Sequence, residues 1–435
     1  MRPVFALAPW VVLAVLLTAC SSGSQNSLPA QLGNGTASSA QALPFGANYK
    51  PACDVTVPGD WGVCFALVRT DVGGIPGGDH GAIPLSHKGG TPSTPPGYGP
   101  AQLAAAYALN TSSGSGQTVA LIESGDYPTA EADLAVYRGQ YGLPACTSTN
   151  GCFKKVGQTG STTSLPRTNS SWAEETALDE DMVSAICPNC HILIVEANSA
   201  TTSNLDAAVN EAARLGATEI SNSYGGSEYA ASDSAFNHPG IVITASSGDS
   251  GYGEGSTQPC SFATVVCTGG TSLEPAGGAR GYSESVWNDA YGAAGSGCSA
   301  LVSKPSWQND RGCTKRSQSD VAFDADPEYG VAVYDSTAYE GYSGWLVFGG
   351  TSVASPAIAA AFALAGNASS LGPNAAQVFW NAAGHGLYSV TSGNNLTRRQ
   401  KCPSAYPYIC TAGTDDDGVY SGPGGWGTPD TAATL

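Results

Sequence analysis

The sequence predicts an α/β protein built on a mostly parallel sheet, with helices on both faces and loops closed by disulfides. Two observations lead to this prediction. Short apolar runs of strand length alternate along the chain with longer segments of helical periodicity, which is typical of parallel sheets. The cysteines also fall in close sequence pairs, as in proteins of oxidising compartments.

The apolar runs and the helical segments can be placed individually. Four runs predict buried strands, at residues 118–122, 191–195, 217–222 and 240–245. Four segments predict helices, at residues 130–140, 172–186, 205–215 and 352–366. In a sheet of parallel strands, functional sites gather at the carboxyl ends of the strands. The segments 222–226 and 246–251 directly follow two of the predicted strands, so we expect a site there.

Thirteen cysteines occur, and twelve remain when Cys20 near the start is set aside. The simplest pairing is six local loops, although sequence alone does not prove connectivity. The expected pairs are Cys53/Cys64, Cys146/Cys152, Cys187/Cys190, Cys260/Cys267, Cys298/Cys313 and Cys402/Cys410. For Cys187 and Cys190 a redox or zinc pair is the alternative, but no second such pair lies nearby, so a structural disulfide is preferred.

Charge limits the class of partner. The chain has 17 basic and 35 acidic residues, a net charge of −18. Such a chain is repelled by phosphate backbones, and we expect no nucleic-acid partner. The acidity also suits an acidic medium, where many carboxyls are neutral, although it serves solubility equally well.

The first residues predict export. Arg2 precedes an apolar stretch at residues 4–19, which fits a signal peptide over 1–19. The Leu-Thr-Ala-Cys sequence at 17–20 resembles a bacterial lipobox, so we expect a lipid on Cys20 that holds the protein on a membrane surface. The alternative is a plain signal peptide with a coincidental cysteine, and a secreted protein. Residues 20–95 then form a tether and a short N-terminal segment, ahead of a main domain at 96–435.

A nucleophile is predicted at Ser352. It follows Gly349, Gly350 and Thr351 and opens an Ala-rich helix, where free N–H groups and the helix dipole favour developing negative charge. The same Gly-Gly-Thr-Ser sequence occurs at 269–272. There the next residues cannot form a long helix, so we interpret Ser272 as structural.

The group that would activate Ser352 is predicted to be acidic. Five histidines occur, none in a His-Gly-Thr-His context, so no histidine is an obvious base. Glu175 and Asp179 lie four residues apart on the predicted helix 172–186 and therefore share one face. Held together they would share a proton at acidic pH and act as base and orienter.

Two other interpretations concern neighbouring residues. Asp249 lies on a Gly-rich turn after a predicted strand, where a neutral carboxyl can donate a hydrogen bond to an oxyanion; the alternative is an Asx-type turn. A histidine-dependent peptidase is the second interpretation. It would use His191 or His238 together with Glu123 or Asp126.

These segments together resemble the sedolisin family, serine-carboxyl peptidases with a subtilisin-like fold. The resemblance covers roughly residues 96–435 and rests on three motifs in order: the Glu-x-x-x-Asp helix, the Ser-Gly-Asp-Ser-Gly turn and the Gly-Thr-Ser-x-x-x-Pro helix start. It implies Glu175 as general base, Asp179 as its partner, Asp249 as oxyanion acid and Ser352 as nucleophile. It also implies acyl-enzyme hydrolysis of polypeptides at acidic pH, with residues 222–226 along the substrate cleft. We expect a monomer.

The chain departs from the family pattern in two places. Only about 75 residues separate Cys20 from the main domain, which is short for the folded pro-domain of many family members. The family's calcium site has Asp where this chain has Ser389, and Gly where it has Asp415. The resemblance still allows a calcium ion on Val390, Gly413 and Asp417, since calcium prefers hard oxygen ligands.

The sequence therefore predicts an exported serine-type endopeptidase, on the bacterial cell surface as a lipoprotein or secreted. The alternative of a different class is a catalytically silent lipoprotein that binds peptides or cell-wall material in the same cleft. Nothing needed for catalysis is visibly missing, which favours the enzyme.

Overall fold

The computed structural model describes residues 48–72, 95–229, 234–371, 373–397, 400–415, 418–432 and 435. All of them belong to one compact unit, residues 35–435. The predicted signal peptide at 1–19, the lipid site at Cys20 and the tether lie outside the described residues. Within the described residues no helix is long and apolar enough to cross a membrane.

Seven α-helices are present among the described residues. They are α1 (Pro100–Ala106), α2 (Ala130–Tyr141), α3 (Ser170–Ile186), α4 (Thr202–Arg214), α5 (Thr351–Ala365), α6 (Ala368–Leu371) and α7 (Gln377–Ala382). The strands of the described part are β1 (Tyr49–Pro51), β2 (Val63–Cys64), β3 (Leu67–Arg69), β4 (Thr118–Ser124), β5 (Phe153–Gly157), β6 (His191–Ala197), β7 (Glu219–Asn222), β8 (Tyr224–Ser227), β9 (Val242–Ser246), β10 (Thr257–Gln258), β11 (Val266–Pro275), β12 (Tyr282–Val286), β13 (Gly297–Ser303), β14 (Lys315–Gln318), β15 (Val321–Asp324), β16 (Val331–Tyr339), β17 (Tyr342–Gly349), β18 (Leu387–Tyr388) and β19 (Thr428–Pro429).

The central sheet has eight strands. Seven follow the order β12-β11-β9-β7-β4-β6-β5, and β15 pairs with β11. Every pair in it is parallel except β11 with β12. Its inner strands β4, β7 and β9 are almost wholly buried, as expected for apolar strands covered on both faces. The predicted α/β fold with a mostly parallel sheet is confirmed.

Helices α3, α4 and α5 cover the strands that carry the site. Helix α5 packs on β7, β9, β11 and β15, and α3 packs on α5 and β4. The residues of α5 from Thr351 to Leu364 are all buried, because its Ala-rich surface lets neighbouring backbones approach closely. Pro356 lies inside this helix and lacks the N–H that would bond to Ser352 O. The Ser223 hydroxyl lies 3.4 Å from that oxygen.

Two smaller sheets include the segment before residue 96. One has the order β1-β3-β17-β16, and the other has the order β10-β8-β2. Residues 48–72 therefore pair with two strands of the predicted main domain: β3 pairs with β17, and β2 pairs with β8. In the structure they are part of the same unit as residues 95–435, and the division drawn at residue 96 does not correspond to a gap in the packing.

The six expected disulfides all form, with the pairing predicted from the sequence. Cys187 and Cys190 are joined to each other, as expected for a structural disulfide and not for a zinc pair. Each bridge closes a short local loop of at most 15 residues in sequence separation. These loops connect strands and helices that are themselves held by the buried core.

Candidate active site

Three neighbouring strands of the central sheet deliver polar side chains to one edge. Glu123 lies near the end of β4, Ser223 follows β7 and Asp249 follows β9 by three residues. The strands β9, β7 and β4 are adjacent and parallel, so their carboxyl ends meet at the same edge. Helix α5 begins at this edge, and Ser352 is its second residue. The predicted site thus lies where parallel sheets place their sites.

Ser352 is fixed from several directions. Gly350 takes a φ of +94° before the helix, a conformation that other residues adopt only under strain. The Ser352 hydroxyl donates to the backbone oxygen of Ser223 at 3.0 Å, and it accepts from the Phe65 backbone N–H at 3.0 Å. The side chain is fully buried. Its hydroxyl is therefore held in one place next to helix α3.

Glu175 and Asp179 face Ser352 from helix α3, and both are fully buried. The Ser223 hydroxyl lies 2.9 Å and 2.8 Å from the two Asp179 carboxylate oxygens, which anchors that side chain. The Ser352 hydroxyl lies close enough to Glu175 to lower its pKa. It nevertheless donates to Ser223 in this arrangement, and neither Glu175 oxygen has a hydrogen-bond partner among the described residues.

Burial dominates the electrostatics of this acidic group. Desolvation raises the pKa of Glu175 well above its usual range, and the Asp179 charge raises it further. Desolvation likewise raises the pKa of Asp179 well above normal, although hydrogen bonds from Ser223 and Glu123 oppose the shift. Carboxyls this close share protons, so the group titrates as a unit. It retains protons to a higher pH than isolated carboxyls do.

Glu123 is a third member of this acidic group. Desolvation raises its pKa well above normal, and the charges of Asp179 and Glu175 add to the shift. The histidine-dependent interpretation placed Glu123 next to a histidine, whereas in the structure it lies beside Asp179, a contact that was not predicted. Its position near the end of a buried strand was the available signal, because a carboxyl there needs a partner.

Asp249 lies on the other side of Ser352. One of its oxygens, Oδ1, accepts from the Thr351 backbone N–H at 2.8 Å and from the Thr351 hydroxyl at 2.9 Å. The other, Oδ2, lies beside the Phe65 carbonyl oxygen: a side chain on Gly350 would meet these two atoms at 2.6 Å and 2.3 Å. Desolvation raises the pKa of Asp249 well above normal. In its neutral form Asp249 has an O–H to donate close to Gly350.

The Phe65 carbonyl oxygen accepts a hydrogen bond from the Ser352 backbone N–H at 2.8 Å. The N–H is one of those that a helix start leaves without an intrahelical partner. The Ser352 N–H and the Asp249 carboxyl therefore both lie close to this oxygen, next to the serine hydroxyl. This is the arrangement of donors that stabilises an oxyanion. The structure thus brings the four predicted residues Glu175, Asp179, Asp249 and Ser352 together.

The competing candidates lie elsewhere. Ser272 is in the middle of β11 and donates to Asp326 at 2.6 Å, so it starts no helix. Among the described residues, no histidine hydrogen-bonds to Ser352 or to the acidic group; His191 is exposed at the start of β6. His80 and His87 lie outside the described residues. The histidine-dependent alternative receives no support from this geometry.

The two stretches of the expected calcium site are neighbours. Asn394 pairs with Thr411, and the Ala412 backbone N–H donates to Gly393 O at 3.1 Å. Val390 is buried beside Ala412. Asp417 lies outside the described residues.

Comparison with known proteins agrees with this architecture. No protein-family model matches the chain. The chain is 34% identical over 218 residues to sedolisin of Pseudomonas sp. (strain 101), covering 44% of this chain and 34% of that protein. It is 32% identical over 158 residues to xanthomonalisin of Xanthomonas sp. (strain T-22), covering 32% of this chain and 18% of that protein. The matched regions thus span about a third or less of these curated relatives.

The structural match covers more of the chain than the sequence matches do. Pseudomonas sedolisin, described as a serine-carboxyl proteinase and solved with two molecules of pseudo-iodotyrostatin, superposes with a TM-score of 0.63. It is 26% identical, and the match covers 78% of this chain and 96% of that one. The fold and the convergent serine and carboxyl side chains define the class of subtilisin-like serine-carboxyl proteins. In both sequence and structure the chain is thus similar to proteins of the sedolisin family.

Proposed function

We propose that this protein is an exported serine-carboxyl endopeptidase that hydrolyses polypeptides through an acyl-enzyme. The observation that carries the proposal is the convergence of Ser352 with an acid pair on one side and two oxyanion donors on the other. The similarity to sedolisin, which is described as a serine-carboxyl proteinase, supports the same reaction class. The residues have different roles, which can be assigned from their contacts.

Glu175 is the general base. Its unpaired carboxylate lies beside the Ser352 hydroxyl, which turns from Ser223 O to donate to it. As the serine oxygen attacks a substrate carbonyl, Glu175 takes the proton and later returns it to the leaving amine. Asp179, held by the Ser223 hydroxyl, orients Glu175 and shares the proton. Glu123 adds a further carboxyl to the proton-sharing group.

Asp249 and the Ser352 backbone N–H stabilise the oxyanion. The Ser352 N–H already binds a carbonyl oxygen in this structure, and Asp249 Oδ2 lies on the same side of Gly350 as that oxygen, which supports their roles as donors. Asp249 can donate only while it is protonated. Burial raises its pKa, which keeps it protonated through the acidic range, and the donor is lost as pH rises through that raised pKa. We therefore infer activity on the acid side of neutrality, at a pH where Asp249 is still protonated and the Glu175 group has lost the proton that its role as base requires.

Export is a separate part of the proposal. Six disulfides support an oxidising compartment outside the cytoplasm. The lipid on Cys20 rests on the sequence of residues 17–20 alone. Mass spectrometry of the membrane fraction tests it: a lipidated N-terminal Cys20 supports anchoring, and an unmodified chain in the medium contradicts it.

Calcium binding is proposed for the loops near the C-terminus, through the backbone oxygens of Val390 and Gly413 and the side chain of Asp417. The pairing of Asn394 with Thr411 supports it by bringing both stretches together. An ion there would hold these loops against each other. Metal analysis of dialysed protein tests the proposal, with Asp417→Ala as the comparison. Stoichiometric calcium in the wild type and its loss in the variant are expected.

The activity test is hydrolysis of a denatured protein by the purified soluble form between pH 3 and pH 7. Glu175→Gln should lower kcat by about 10²–10⁴-fold, because it removes the base. His238→Ala is the matched control and should retain activity. The reverse result would favour the histidine-dependent mechanism.

A catalytically silent binding protein is distinguished by active-site labelling. An acylating reagent should modify Ser352, with the modified residue identified by mass spectrometry. A well-folded chain that neither cleaves nor becomes labelled at any pH in this range contradicts the proposed enzyme.

A further inference from the structure

Helix α3 carries more acidic residues than the candidate active site uses. Its 17 residues include no basic side chain, and its five carboxyls are all buried: Glu174, Glu175, Asp179, Glu180 and Asp181. Glu175 and Asp179 face Ser352, and Glu174 is paired with Lys50 at 2.6 Å. Glu180 and Asp181 have no role in the proposed reaction. The charged groups of other elements that act on these two residues lie on α2, β16 and β5.

Asp133 on α2 and Asp335 on β16 share one tyrosine hydroxyl. The Tyr127 hydroxyl donates to Asp133 Oδ2 at 2.6 Å and lies 3.1 Å from Asp335 Oδ1. The same Asp133 oxygen also accepts from the Thr129 hydroxyl and from the N–H and hydroxyl of Ser336. Because a hydroxyl has only one proton, Asp335 can bond to the Tyr127 oxygen only by donating a proton of its own. The geometry therefore favours a protonated Asp335.

Glu180 and Asp181 complete this group of carboxyls from helix α3. Asp181 Oδ2 accepts from the Tyr334 backbone N–H of β16 at 2.9 Å. Its other oxygen, both oxygens of Glu180 and Asp335 Oδ2 are buried and have no hydrogen-bond partner among the described residues. Burying a carboxylate without donors costs far more than burying a neutral carboxyl, so these oxygens also favour bound protons. We call Asp133, Glu180, Asp181 and Asp335 the second carboxyl group.

Two cations face the second carboxyl group without forming a hydrogen bond to it. Arg138 on α2 donates to two backbone oxygens and to one serine hydroxyl. Lys155 on β5 forms ion pairs with Asp126 and Glu196 instead. The four carboxyls thus outnumber the cations that could balance them.

The other elements around α3 add no further cation to this group. Helices α1 and α5 pack on α3 and contain no ionisable side chain. Strand β4 contributes Glu123, which acts on Asp179. Three phenols also face the group, and burial raises their pKa, so they stay neutral: Tyr127, Tyr137 and Tyr141.

Burial shifts the titration of these carboxyls in one direction. Desolvation raises the pKa of Glu180 well above its usual range, and the charges of the other three carboxyls raise it further. Desolvation also raises the pKa of Asp181 well above normal, and it raises the pKa of Asp335 from 3.8 to about 7. A carboxyl with a higher pKa in the folded than in the unfolded chain favours folding at low pH. For Asp335 this contribution is lost as pH rises from about 4 to about 7.

We propose that the second carboxyl group is a pH-sensitive switch: its protons keep helix α3 packed on α2 and β16, and their loss near neutral pH opens the helix locally. In acid the group stays buried, and Glu175 and Asp179 are held beside Ser352. When the protons are lost, like charges face one another across α3, and the helix unfolds more readily than the rest of the sheet. The chain is then inactive in a neutral medium and active after acidification. This consequence rests on the proposed peptidase function, whereas the opening of α3 does not.

Hydrogen exchange of the whole exported chain tests the switch without a substrate. Mass spectrometry follows amide exchange at about pH 4 and about pH 8, and the intrinsic exchange rates are divided out. The protection of α3 is compared with that of β9, a buried strand without ionisable side chains. We expect α3 to lose at least about tenfold in protection at the higher pH, the change that one pKa unit brings to an equilibrium, while β9 keeps its protection. Equal protection of α3 at both pH values, or an equal loss in α3 and β9, overturns the switch.

Neutral variants of similar shape assign the effect to the second carboxyl group. Glu180→Gln and Asp335→Asn each remove one charge, and each should keep at least about tenfold more protection of α3 than the wild type at the higher pH. Both should leave kcat in acid within about twofold, because these carboxyls are already neutral there. Glu274→Gln makes the same chemical change at an exposed position of β11 and should behave as the wild type. A loss of protection in both neutral variants as large as in the wild type overturns the assignment.

The outcomes separate the inference from the proposed function. Cleavage of a denatured protein in acid, together with protection of α3 that does not depend on pH, leaves the peptidase standing and overturns the switch. Protection of α3 that falls with pH in the wild type and not in the neutral variants supports the switch. If such a chain cleaves no polypeptide and is not acylated at Ser352 at any pH, the switch stands and the proposed peptidase fails.

Discussion

The sequence Gly-Gly-Thr-Ser occurs twice in this chain, at 269–272 and at 349–352, and takes two different structures. In the first copy it lies within strand β11, where Thr271 pairs with Val286 and Ser272 with Ser285. In the second copy it ends β17 and starts helix α5. The difference arises in the residues after each copy, since Leu-Glu-Pro after Ser272 stops a helix and the Ala-rich run after Ser352 propagates one.

Both copies place hydroxyls next to carboxyls. Thr271 donates to Glu284 at 2.8 Å and Thr351 donates to Asp249 at 2.9 Å. Ser272 even bonds directly to a carboxylate, that of Asp326. The first copy differs in its backbone. The backbone of its residues is hydrogen-bonded to strand β12 within the sheet. The Ser352 N–H, at the start of a helix, is instead free to bind a carbonyl oxygen. A serine with a carboxyl is thus not sufficient for a reactive site.

The largest expected effect is the loss of the second serine. Ser352→Ala should lower kcat by about 10⁴–10⁶-fold, because the nucleophile is removed. Ser272→Ala should leave kcat within about twofold, and should change only the thermal unfolding midpoint. Kinetics on a denatured protein substrate measure both. Equal losses in the two variants would mean that the copies are not functionally distinct.

Asp249 lies beside the second copy and Asp326 beside the first. Removing each carboxyl should change kcat by amounts that differ by about two orders of magnitude, with Asp249 the larger. Asp249→Ala removes an oxyanion donor and should lower kcat by about 10²–10³-fold. Asp249→Asn keeps a neutral donor and should extend activity to higher pH, since the amide does not lose a proton as pH rises. The pH–rate profiles of both variants check this. An unchanged alkaline limb in Asp249→Asn would exclude Asp249 as the group that sets it.

The second glycine of each copy provides a smaller contrast. A methyl on Gly350 would meet the Phe65 carbonyl oxygen at 2.3 Å and require a positive φ, so Gly350→Ala should lower kcat/KM by about tenfold to a hundredfold. A methyl on Gly270 would meet Ala325 at 2.7 Å inside the sheet. Gly270→Ala should cost about 1–3 kcal/mol of unfolding free energy while the folded protein stays active. Activity normalised to titrated active sites separates the two effects.

The smallest effect concerns stability against pH at the first copy. Burial raises the pKa of Asp326 from 3.8 to about 7, although the Ser272 hydroxyl opposes the shift. A carboxyl with a raised folded pKa favours folding at low pH, and this contribution is lost as pH rises from about 4 to about 7. Asp326→Asn should therefore reduce the fall in Tm over that interval without changing kcat.

The control for this prediction is the exposed Asp54→Asn, which should leave the pH dependence of Tm unchanged. The wild type should lose up to about 4 kcal/mol from Asp326 between the two pH values, at about 1.4 kcal/mol per pKa unit. Identical Tm profiles for the wild type and Asp326→Asn would contradict the buried, proton-binding role of this carboxyl.

Local patterns in the sequence predicted much of the candidate site. Glu175 and Asp179 share a helix face because of their four-residue spacing, and Ser352 starts a helix because of the glycines before it and the alanines after it. The strands and the six cysteine pairs are also local features, since each depends on residues close in sequence. These elements formed where they were expected, with most helix and strand ends differing by only a few residues.

Only the tertiary structure decided which distant residues meet. Glu123 joins Asp179, Ser223 binds both Asp179 and Ser352, and Phe65 lies in the cleft. Each of these contacts depends on the order of strands in the sheets, and no periodicity in the chain encodes that order. The position of residues 48–72 has the same origin: the pairing of β3 with β17 depends on neighbours that are distant in sequence, so the sequence around residue 65 carried no sign of it.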